Sequence, residues 1–306
     1  MSNDSRPAGG ARVRRRAATV AAAVGGCALV AAFAVPAAAH PAQHHGHRLD
    51  YVALGDSYTS GPAIPTQVDA ACARSDRNYP SLVAGREGAT TFTDASCSGA
   101  TTAQMWQAQG GNPSQLDALS RDTDLVTVQI GGNDVGFGPI ISRCAGLGLK
   151  DPTGNPCERA YEASGQDELA LTVRRTAPKI AQVLRAVHAR APHARVLVVG
   201  YPDLLPDDGV GCFPQVPFAQ GDFPYLRDTE KRLNLMLRTE AARNRAQYVD
   251  TYAPTVGHDM CKAPAERWIE PLQPAAPAAP AHPNALGEQA MADAVLNRPA
   301  RGHGHR

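Results

Sequence analysis

Short runs of consecutive apolar residues alternate along this chain with segments of helical periodicity. The runs Tyr51–Leu54, Leu125–Ile130 and Val196–Val199 lack the polar alternation of a half-exposed strand, so they predict parallel strands that are buried on both faces. Further strands are predicted at Thr90–Ala95 and Gln247–Thr251. Strands that alternate with helices predict an α/β fold, a three-layer α/β/α sandwich around a central parallel sheet.

The helical segments carry their apolar residues on one face. Within Ile180–Val187, apolar side chains occupy the first, fourth, fifth and eighth positions, which is the spacing of one helix face. Pro178 suits the first turn of that helix, and Pro192 is expected to end it. Spaced leucines predict a second helix in residues 226–243, and a last helix is predicted over Leu286–Val295.

Four long segments between these elements are rich in glycine, proline and polar residues, and they predict loops. They cover residues 59–78, 138–165, 202–225 and 252–285. Loops of this length in a compact domain are usually functional or pinned in place. Five of the six cysteines after residue 39 fall in one of them, all except Cys97, so pinning is the expected reason for their length.

The first 39 residues have the pattern of a secretory signal peptide. A cluster of arginines precedes the apolar run Ala17–Val35, which closes on the small-residue site Ala37–Ala39. This pattern predicts cleavage after Ala39 and secretion. A retained membrane anchor is one alternative, because the apolar run approaches spanning length. Lipidation at Cys27 is another, although the residues after it stay apolar where a lipoprotein would turn polar.

Removal of residues 1–39 leaves 267 of the 306 residues, enough for one domain with a large core. That domain is predicted over residues 49–298, between flexible tails at 40–48 and 299–306. The 267 residues hold 25 Lys and Arg against 28 Asp and Glu, and a net charge near −3 gives no reason to expect nucleic acid as a partner. With no second long apolar run, we expect no stable membrane insertion, and we expect a monomer.

Six cysteines remain after residue 39: Cys72, Cys97, Cys144, Cys157, Cys212 and Cys261. An even count in an exported chain predicts three disulfides, although the count does not choose among the possible pairings. Zinc is the competing use of cysteine. The chain has neither C-x-x-C spacing nor a nearby pair of histidines, so we expect no metal and no other cofactor.

The segment Gly55–Tyr58 follows the first predicted strand directly and contains Ser57. A serine at the carboxyl end of a buried strand lies at the edge where open α/β sheets bind ligands. The same residues could form an ordinary helix cap. No G-x-S-x-G elbow surrounds the serine, which argues against the α/β-hydrolase fold.

Three further segments stand at comparable places. Ser98–Thr101 follows the stretch Thr90–Ala95, Gly131–Asp134 follows the strand Leu125–Ile130, and His282-Pro283-Asn284 precedes the last helix. Taken in order with the GDSY segment, they resemble the four blocks of the SGNH (GDSL) hydrolase superfamily, over residues 50–296. YVALGDSYTSG, the six cysteines and AHPNALGE are similar to the secreted esterases, lipases and phospholipases of Streptomyces-type actinobacteria.

The resemblance implies a central, flavodoxin-like parallel sheet and hydrolysis of carboxylic esters. It implies that Ser57 is the nucleophile, and that His282, the histidine in a matching block, is the general base. The backbone N–H groups of Ser57 and Gly99 and the side-chain amide of Asn133 would form the oxyanion hole. Asn133 could instead cap a turn, and Gly99 could be an ordinary loop glycine. His258 competes for the role of base, but we interpret it as structural.

This sequence departs from the family pattern before the histidine. The family usually has D-x-x-H there, whereas this chain has Ala279-Pro280-Ala281-His282. The histidine still needs an acceptor on its second nitrogen. A backbone carbonyl serves in several relatives, so we expect a Ser–His dyad oriented by the carbonyl of Ala279 or Pro280. Asp56 and Asp134 are interpreted as turn and scaffold residues.

The relatives also imply that the cysteines pair in sequence order: Cys72 with Cys97, Cys144 with Cys157, and Cys212 with Cys261.

Fatty acyl esters are the expected substrates, with phospholipase A or carbohydrate acetylesterase activity as alternatives. A non-catalytic binding module is disfavoured, because it would not need serine, amide and histidine together. Three aromatic residues of one long segment could wall an acyl groove or pack that segment onto the domain: Phe213, Phe218 and Phe223.

Overall fold

A parallel five-stranded sheet forms the centre of the structure, a computed structural model that describes residues 48–298. The strands are β1 (Asp50–Gly55), β2 (Gln67–Asp69), β3 (Arg74–Ser75), β4 (Thr91–Asp94), β5 (Leu125–Gln129), β6 (Arg195–Val199) and β7 (Gln247–Val249). The order in the sheet is β4-β1-β5-β6-β7, and β2 pairs with β3 in a separate antiparallel ribbon. The predicted signal peptide and tails lie outside the described residues, Arg48 excepted.

Helices cover both faces of this sheet. They are α1 (Ser57–Ser60), α2 (Tyr79–Glu87), α3 (Gly132–Val135), α4 (Phe137–Gly148), α5 (Pro156–Tyr161), α6 (Glu168–Arg190), α7 (Asp222–Arg243) and α8 (Ala285–Leu296), with short 3₁₀ helices at Thr102–Met105, Gln115–Ala118 and Ala253–Thr255. Within residues 48–298, no helix combines the length and apolar content that crossing a membrane requires.

The apolar runs of the strands explain the three layers. In β1, Tyr51 and Ala53 pack with residues of α2 and α8 on one face of the sheet. Val52 and Leu54 point to the other face, where they join residues of α6 and α7. Successive side chains of a strand point to opposite faces, so a strand without polar positions is buried on both. The predicted fold class, an α/β/α sandwich around a parallel sheet, is confirmed.

The order of the strands places a topological switch beside β1. The chain runs from β1 to β4 on one side, and then crosses to β5 on the other side of β1. All neighbouring strands are parallel, so the turns after β1, β4 and β5 meet at one edge of the sheet. Ligands of open α/β sheets bind in the crevice at such a point.

The prediction that Pro178 lies in the first turn of its helix is wrong. Helix α6 begins ten residues earlier, at Glu168, where the Asp167 side chain accepts the backbone N–H of Ala170. Pro178 is exposed, so water can bond the carbonyl that loses its helical donor. The helix ends at Arg190, before Pro192, as predicted.

The loop prediction for residues 138–165 is also wrong, because α4 and α5 occupy most of that segment. Its glycines suggested a loop, but Ile140 and Cys144 form a buried face on α4, and a disulfide joins Cys144 to Cys157 of α5. The two other disulfides join Cys72 to Cys97 and Cys212 to Cys261. The cysteines thus pair in the sequence order that the resemblance implies.

Candidate active site

Ser57 is the first residue of α1, directly after β1. The Asp56 side chain caps this short helix by accepting the backbone N–H of Tyr58 at 3.0 Å. The turn is tight, because a Cβ atom on Gly55 would lie 2.0 Å from Thr59 Oγ1. Ser57 is largely buried, at 6% exposure, and it lines a pocket at the edge of the sheet.

His282 lies against this serine. Its Nε2 atom is 2.7 Å from Ser57 Oγ, and its Nδ1 atom is 2.7 Å from the carbonyl oxygen of Pro280. A carbonyl only accepts, so Nδ1 carries the proton and Nε2 has a free lone pair for the serine hydroxyl. The carbonyl of Ala279, the other predicted acceptor, instead accepts the backbone N–H of His282 at 3.2 Å.

The segment before α8 holds the histidine ring in this orientation. The Tyr58 hydroxyl donates to the carbonyl of Ala281 at 2.6 Å, and the Tyr58 ring lies 4.8 Å from the imidazole. Asn284 caps α8 by accepting the N–H groups of Leu286 and Gly287. The residue that follows the serine therefore bonds to the residue that precedes the histidine.

Burial lowers the pKa of His282, and the hydrogen bond to Pro280 offsets only part of that effect. The direction follows from desolvation, which disfavours the charged imidazolium. A neutral imidazole is the form that accepts a proton from a serine. At neutral pH the ring is therefore in the state that a general base requires.

Glu270, the carboxylate that precedes His282 most closely in sequence, is bonded elsewhere. Its side chain accepts Arg267 at 2.9 Å, Asn284 at 2.9 Å and the backbone N–H of Ala275 at 2.8 Å. These bonds lower the pKa of Glu270 and fasten the segment that leads to the histidine. They leave the Pro280 carbonyl as the partner of the imidazole Nδ1.

The two other predicted oxyanion residues lie in the turns after β4 and β5. Gly99 has a φ of +78°, in the region that favours glycine. Its turn is tied to the end of β1, because the backbone N–H of Cys97 donates to the carbonyl of Gly55 at 3.1 Å. The Asn133 amide donates to the carbonyl of Ala100 at 2.9 Å. An amide nitrogen has two N–H groups, so this bond fixes the side chain and leaves one donor.

The pocket beside Ser57 and Asn133 has a volume of about 750 Å³, part of it open to solvent. Its walls are mainly apolar and come chiefly from α4, the segment after β6, α7 and the loop at Phe218. Phe218 is fully buried and contacts Phe223 at 5.8 Å between ring centroids. Phe213 is 39% exposed and is not among the lining residues. Apolar walls with a few polar groups at one end are typical of a ligand site.

His258, the competing base, contacts other residues. Its ring stacks on Trp268 at 3.5 Å, and its Nδ1 atom is 2.5 Å from the carbonyl oxygen of Glu266. These contacts support the structural interpretation of His258. Over residues 48–298, no group of three His, Cys, Asp or Glu side chains is arranged to hold a metal ion.

Tyr201 and the pocket residues of α4 were not predicted from the sequence. Tyr201 follows β6 by two residues and lines the pocket together with Ser57. A tyrosine at the carboxyl end of a strand beside β5 was the available signal. Ile140 and Ile141 of α4 were missed because their segment was predicted to be a loop.

Comparison with known proteins identifies the family. Residues 53–290 match the model of the GDSL-like lipase/acylhydrolase family. The chain belongs to this family. It is 43% identical over 296 residues to "Lipase 2" of Streptomyces coelicolor, covering 93% of this chain and 97% of the relative. The predicted superfamily is confirmed, and the chain is a carboxylic ester hydrolase of the lipase and esterase type.

Two solved structures of this GDSL hydrolase's relatives share the fold. Phospholipase A1 of Streptomyces albidoflavus superposes with a TM-score of 0.70 at 28% identity, covering 83% of this chain and all of that one (100%). The extracellular lipase of Streptomyces rimosus gives a TM-score of 0.67 at 29% identity, covering 81% of this chain and 98% of that one. Both are acyl-ester hydrolases by name.

Proposed function

We propose that this GDSL hydrolase cleaves fatty acyl esters through an acyl-Ser57 intermediate, with His282 as general base and the Pro280 carbonyl in place of a carboxylate. The observation that carries the proposal is the pair of 2.7 Å contacts of the His282 ring, one to Ser57 Oγ and one to Pro280 O. These contacts set the tautomer and direct the free lone pair at the serine, beside an apolar pocket.

In the proposed reaction, Ser57 Oγ attacks the ester carbonyl carbon while its proton moves to His282 Nε2. The carbonyl oxygen becomes negatively charged. It accepts hydrogen bonds from the backbone N–H groups of Ser57 and Gly99 and from the second N–H of Asn133. When the tetrahedral intermediate collapses, His282 returns the proton to the leaving alkoxide. Water then attacks the acyl-serine with the same nitrogen as base.

The carbonyl of Pro280 orients the imidazole but carries only a partial charge. It stabilises the imidazolium less than an aspartate would, and burial lowers the pKa of His282 despite this hydrogen bond. The proposed oxyanion donors supply a further contribution to catalysis. Loss of one such donor typically costs about 3 kcal/mol of transition-state stabilisation.

The pocket favours a long acyl chain. An acetyl group would contact little of the apolar wall that α4, α7 and Phe218 provide, whereas a fatty chain would bury apolar surface along it at roughly 0.8 kcal/mol per methylene. This disfavours a carbohydrate acetylesterase. Phospholipase A activity is the second candidate, supported by the likeness to the phospholipase A1 of S. albidoflavus.

We also propose that the enzyme is secreted as one hydrolase domain, residues 49–298, after loss of residues 1–39. The support is the arginine cluster, apolar run and small-residue site of that segment, together with the three disulfides. Disulfides persist in oxidising compartments. The extracellular lipase of S. rimosus, similar over most of the chain, fits the same location.

The test compares Ser57→Ala with Ser60→Ala, a second buried serine of the same short helix. Hydrolysis of p-nitrophenyl acetate, octanoate and palmitate is measured together with release of fatty acid from phospholipid vesicles. We expect Ser57→Ala to lose turnover while Ser60→Ala keeps it, and both to retain the wild-type circular dichroism. We also expect octanoate to be a better substrate than acetate. Turnover retained in Ser57→Ala would place the nucleophile elsewhere, and a preference for acetate would contradict the fatty acyl assignment.

A further inference from the structure

One hydroxyl group joins the turn of the serine to the turn of the oxyanion amide. The Tyr201 hydroxyl donates to Asp56 Oδ2 at 2.6 Å, and the backbone N–H of Gly132 donates to the same hydroxyl oxygen at 2.8 Å. Asp56 directly precedes Ser57, and Gly132 directly precedes Asn133. The hydroxyl is thus bonded to the chain neighbours of both groups.

Tyr201 is itself held by elements outside those two turns. Its backbone N–H donates to the Asn234 side chain at 2.8 Å, and Asn234 Nδ2 donates to the Tyr201 carbonyl at 2.9 Å. Asn234 lies on α7 and is buried. The tyrosine ring packs edge-on against Tyr58, with the ring centroids 5.2 Å apart, and is 3% exposed. The hydroxyl therefore has a fixed position, set by β6 and α7.

Asp56 needs this hydrogen bond, because its carboxylate is only 1% exposed. Burial raises the pKa of Asp56, and the bonds from the Tyr201 hydroxyl and the Tyr58 N–H offset part of that rise, so that the pKa is about 7. Loss of the Tyr201 hydroxyl would leave a buried carboxylate oxygen and the Gly132 N–H without this shared partner. Buried polar groups without a partner either rearrange or destabilise the folded protein around them.

We propose that Tyr201 is a positioning residue for ester hydrolysis, whose hydroxyl holds Ser57 and Asn133 at the spacing that attack and oxyanion stabilisation require. The proposal rests on the proposed roles of Ser57 and Asn133. It predicts an effect on rate rather than on substrate binding. The phenyl ring, which lines the acyl pocket, would remain in a variant that lacks only the hydroxyl.

The test is Tyr201→Phe, with Tyr51→Phe as the matched control. Tyr51 is also fully buried, and its hydroxyl bonds to Thr127 Oγ1 at 2.8 Å, but it belongs to the core on the other face of the sheet. We expect Tyr201→Phe to lower kcat by about 10- to 100-fold with KM within about twofold. We expect the two variants to lower the melting temperature by similar amounts, because each loses one buried hydroxyl. Tyr51→Phe should nevertheless keep kcat within about twofold of the wild type.

A double-mutant cycle with Asp56→Asn separates positioning from general damage. Both changes interrupt the same contact, so the double variant should lose about as much kcat as the more damaging single variant. Tyr201→Phe combined with Tyr51→Phe should instead show the product of the single effects. If Tyr201→Phe does not fold, Asp56→Asn takes its place, with the same expected fall in kcat at constant KM.

Three results would overturn the inference: a kcat for Tyr201→Phe within about twofold of wild type, an equal loss in Tyr51→Phe, or multiplicative losses with Asp56→Asn. Failure of the proposed function would look different. If Ser57→Ala keeps turnover, the nucleophile is wrong. If Ser57→Ala is inactive while Tyr201→Phe works at the wild-type rate, only the positioning role of Tyr201 fails.

Discussion

Removing the disulfide between Cys72 and Cys97 should lower both stability and turnover. The bond closes a loop with a sequence separation of 25 residues. In the chain-entropy model, releasing a loop of that length stabilises the unfolded chain by about 3.5 kcal/mol at 25 °C. The bond also lies beside the proposed oxyanion turn, because Cys97 is two residues before Gly99 and the Ser98 N–H donates to the carbonyl of Cys72 at 2.9 Å.

The matched control is removal of the disulfide between Cys144 and Cys157, whose sequence separation is 13 residues. The same model gives about 3 kcal/mol for that loop, and the bond links α4 to α5 rather than the oxyanion turn. Each pair is changed to alanine. Free energies of unfolding are measured in urea, and kcat is measured where both variants are folded.

We expect comparable losses of stability in the two variants. Turnover should fall by roughly tenfold only in the variant without Cys72 and Cys97, because a displaced oxyanion donor acts on the rate. An unchanged kcat in that variant would refute the link between the bond and the oxyanion turn. A stability loss below about 1 kcal/mol would refute the entropy reasoning.

Two further predictions concern the base and the pocket. The kcat/KM of ester hydrolysis should fall as pH decreases, with a midpoint below 6.5. Protonation of His282 would remove the proposed base, and burial lowers the pKa of this ring from 6.5. A midpoint above 6.5 would contradict a buried, neutral His282 as the group whose titration sets the rate. Phe218→Ala should lower kcat/KM for octanoate more than for acetate, because the fully buried ring lines the acyl pocket. Both esters are measured on one preparation, so the ratio is independent of the folded fraction, and an unchanged ratio would remove Phe218 from the acyl site.

The strands could be predicted because each carries its signal in its own residues. A run such as Val196–Val199 has no polar position, and only burial on both faces accommodates it. Helices α4 and α5 could not be predicted in the same way. Gly138, Gly146 and Gly148 weaken the local preference of α4 for helix, and its packing and the disulfide to α5 decide the outcome.

The residues of the site likewise divide into those that the sequence predicts and those that it does not. Ser57 and His282 lie in recognisable sequence blocks, so the sequence alone predicted them as nucleophile and base. The choice between the carbonyls of Ala279 and Pro280 depends on the backbone around Ala281, which has a φ of +59°, and no sequence pattern predicts that conformation for alanine. Tyr201 was missed because its partners, Asp56 and Gly132, are 145 and 69 residues away in sequence.

Labelling with a p-nitrophenyl alkylphosphonate tests the central claim most directly, since such a reagent traps an activated serine as a stable adduct. After inactivation, the protein is digested and the modified peptide is identified by mass spectrometry. We expect one phosphonyl group per molecule, located on Ser57, with loss of activity proportional to labelling and no labelling of His282→Ala on the same time scale. Inactivation with the label on another residue, or full labelling of His282→Ala at the wild-type rate, would contradict it.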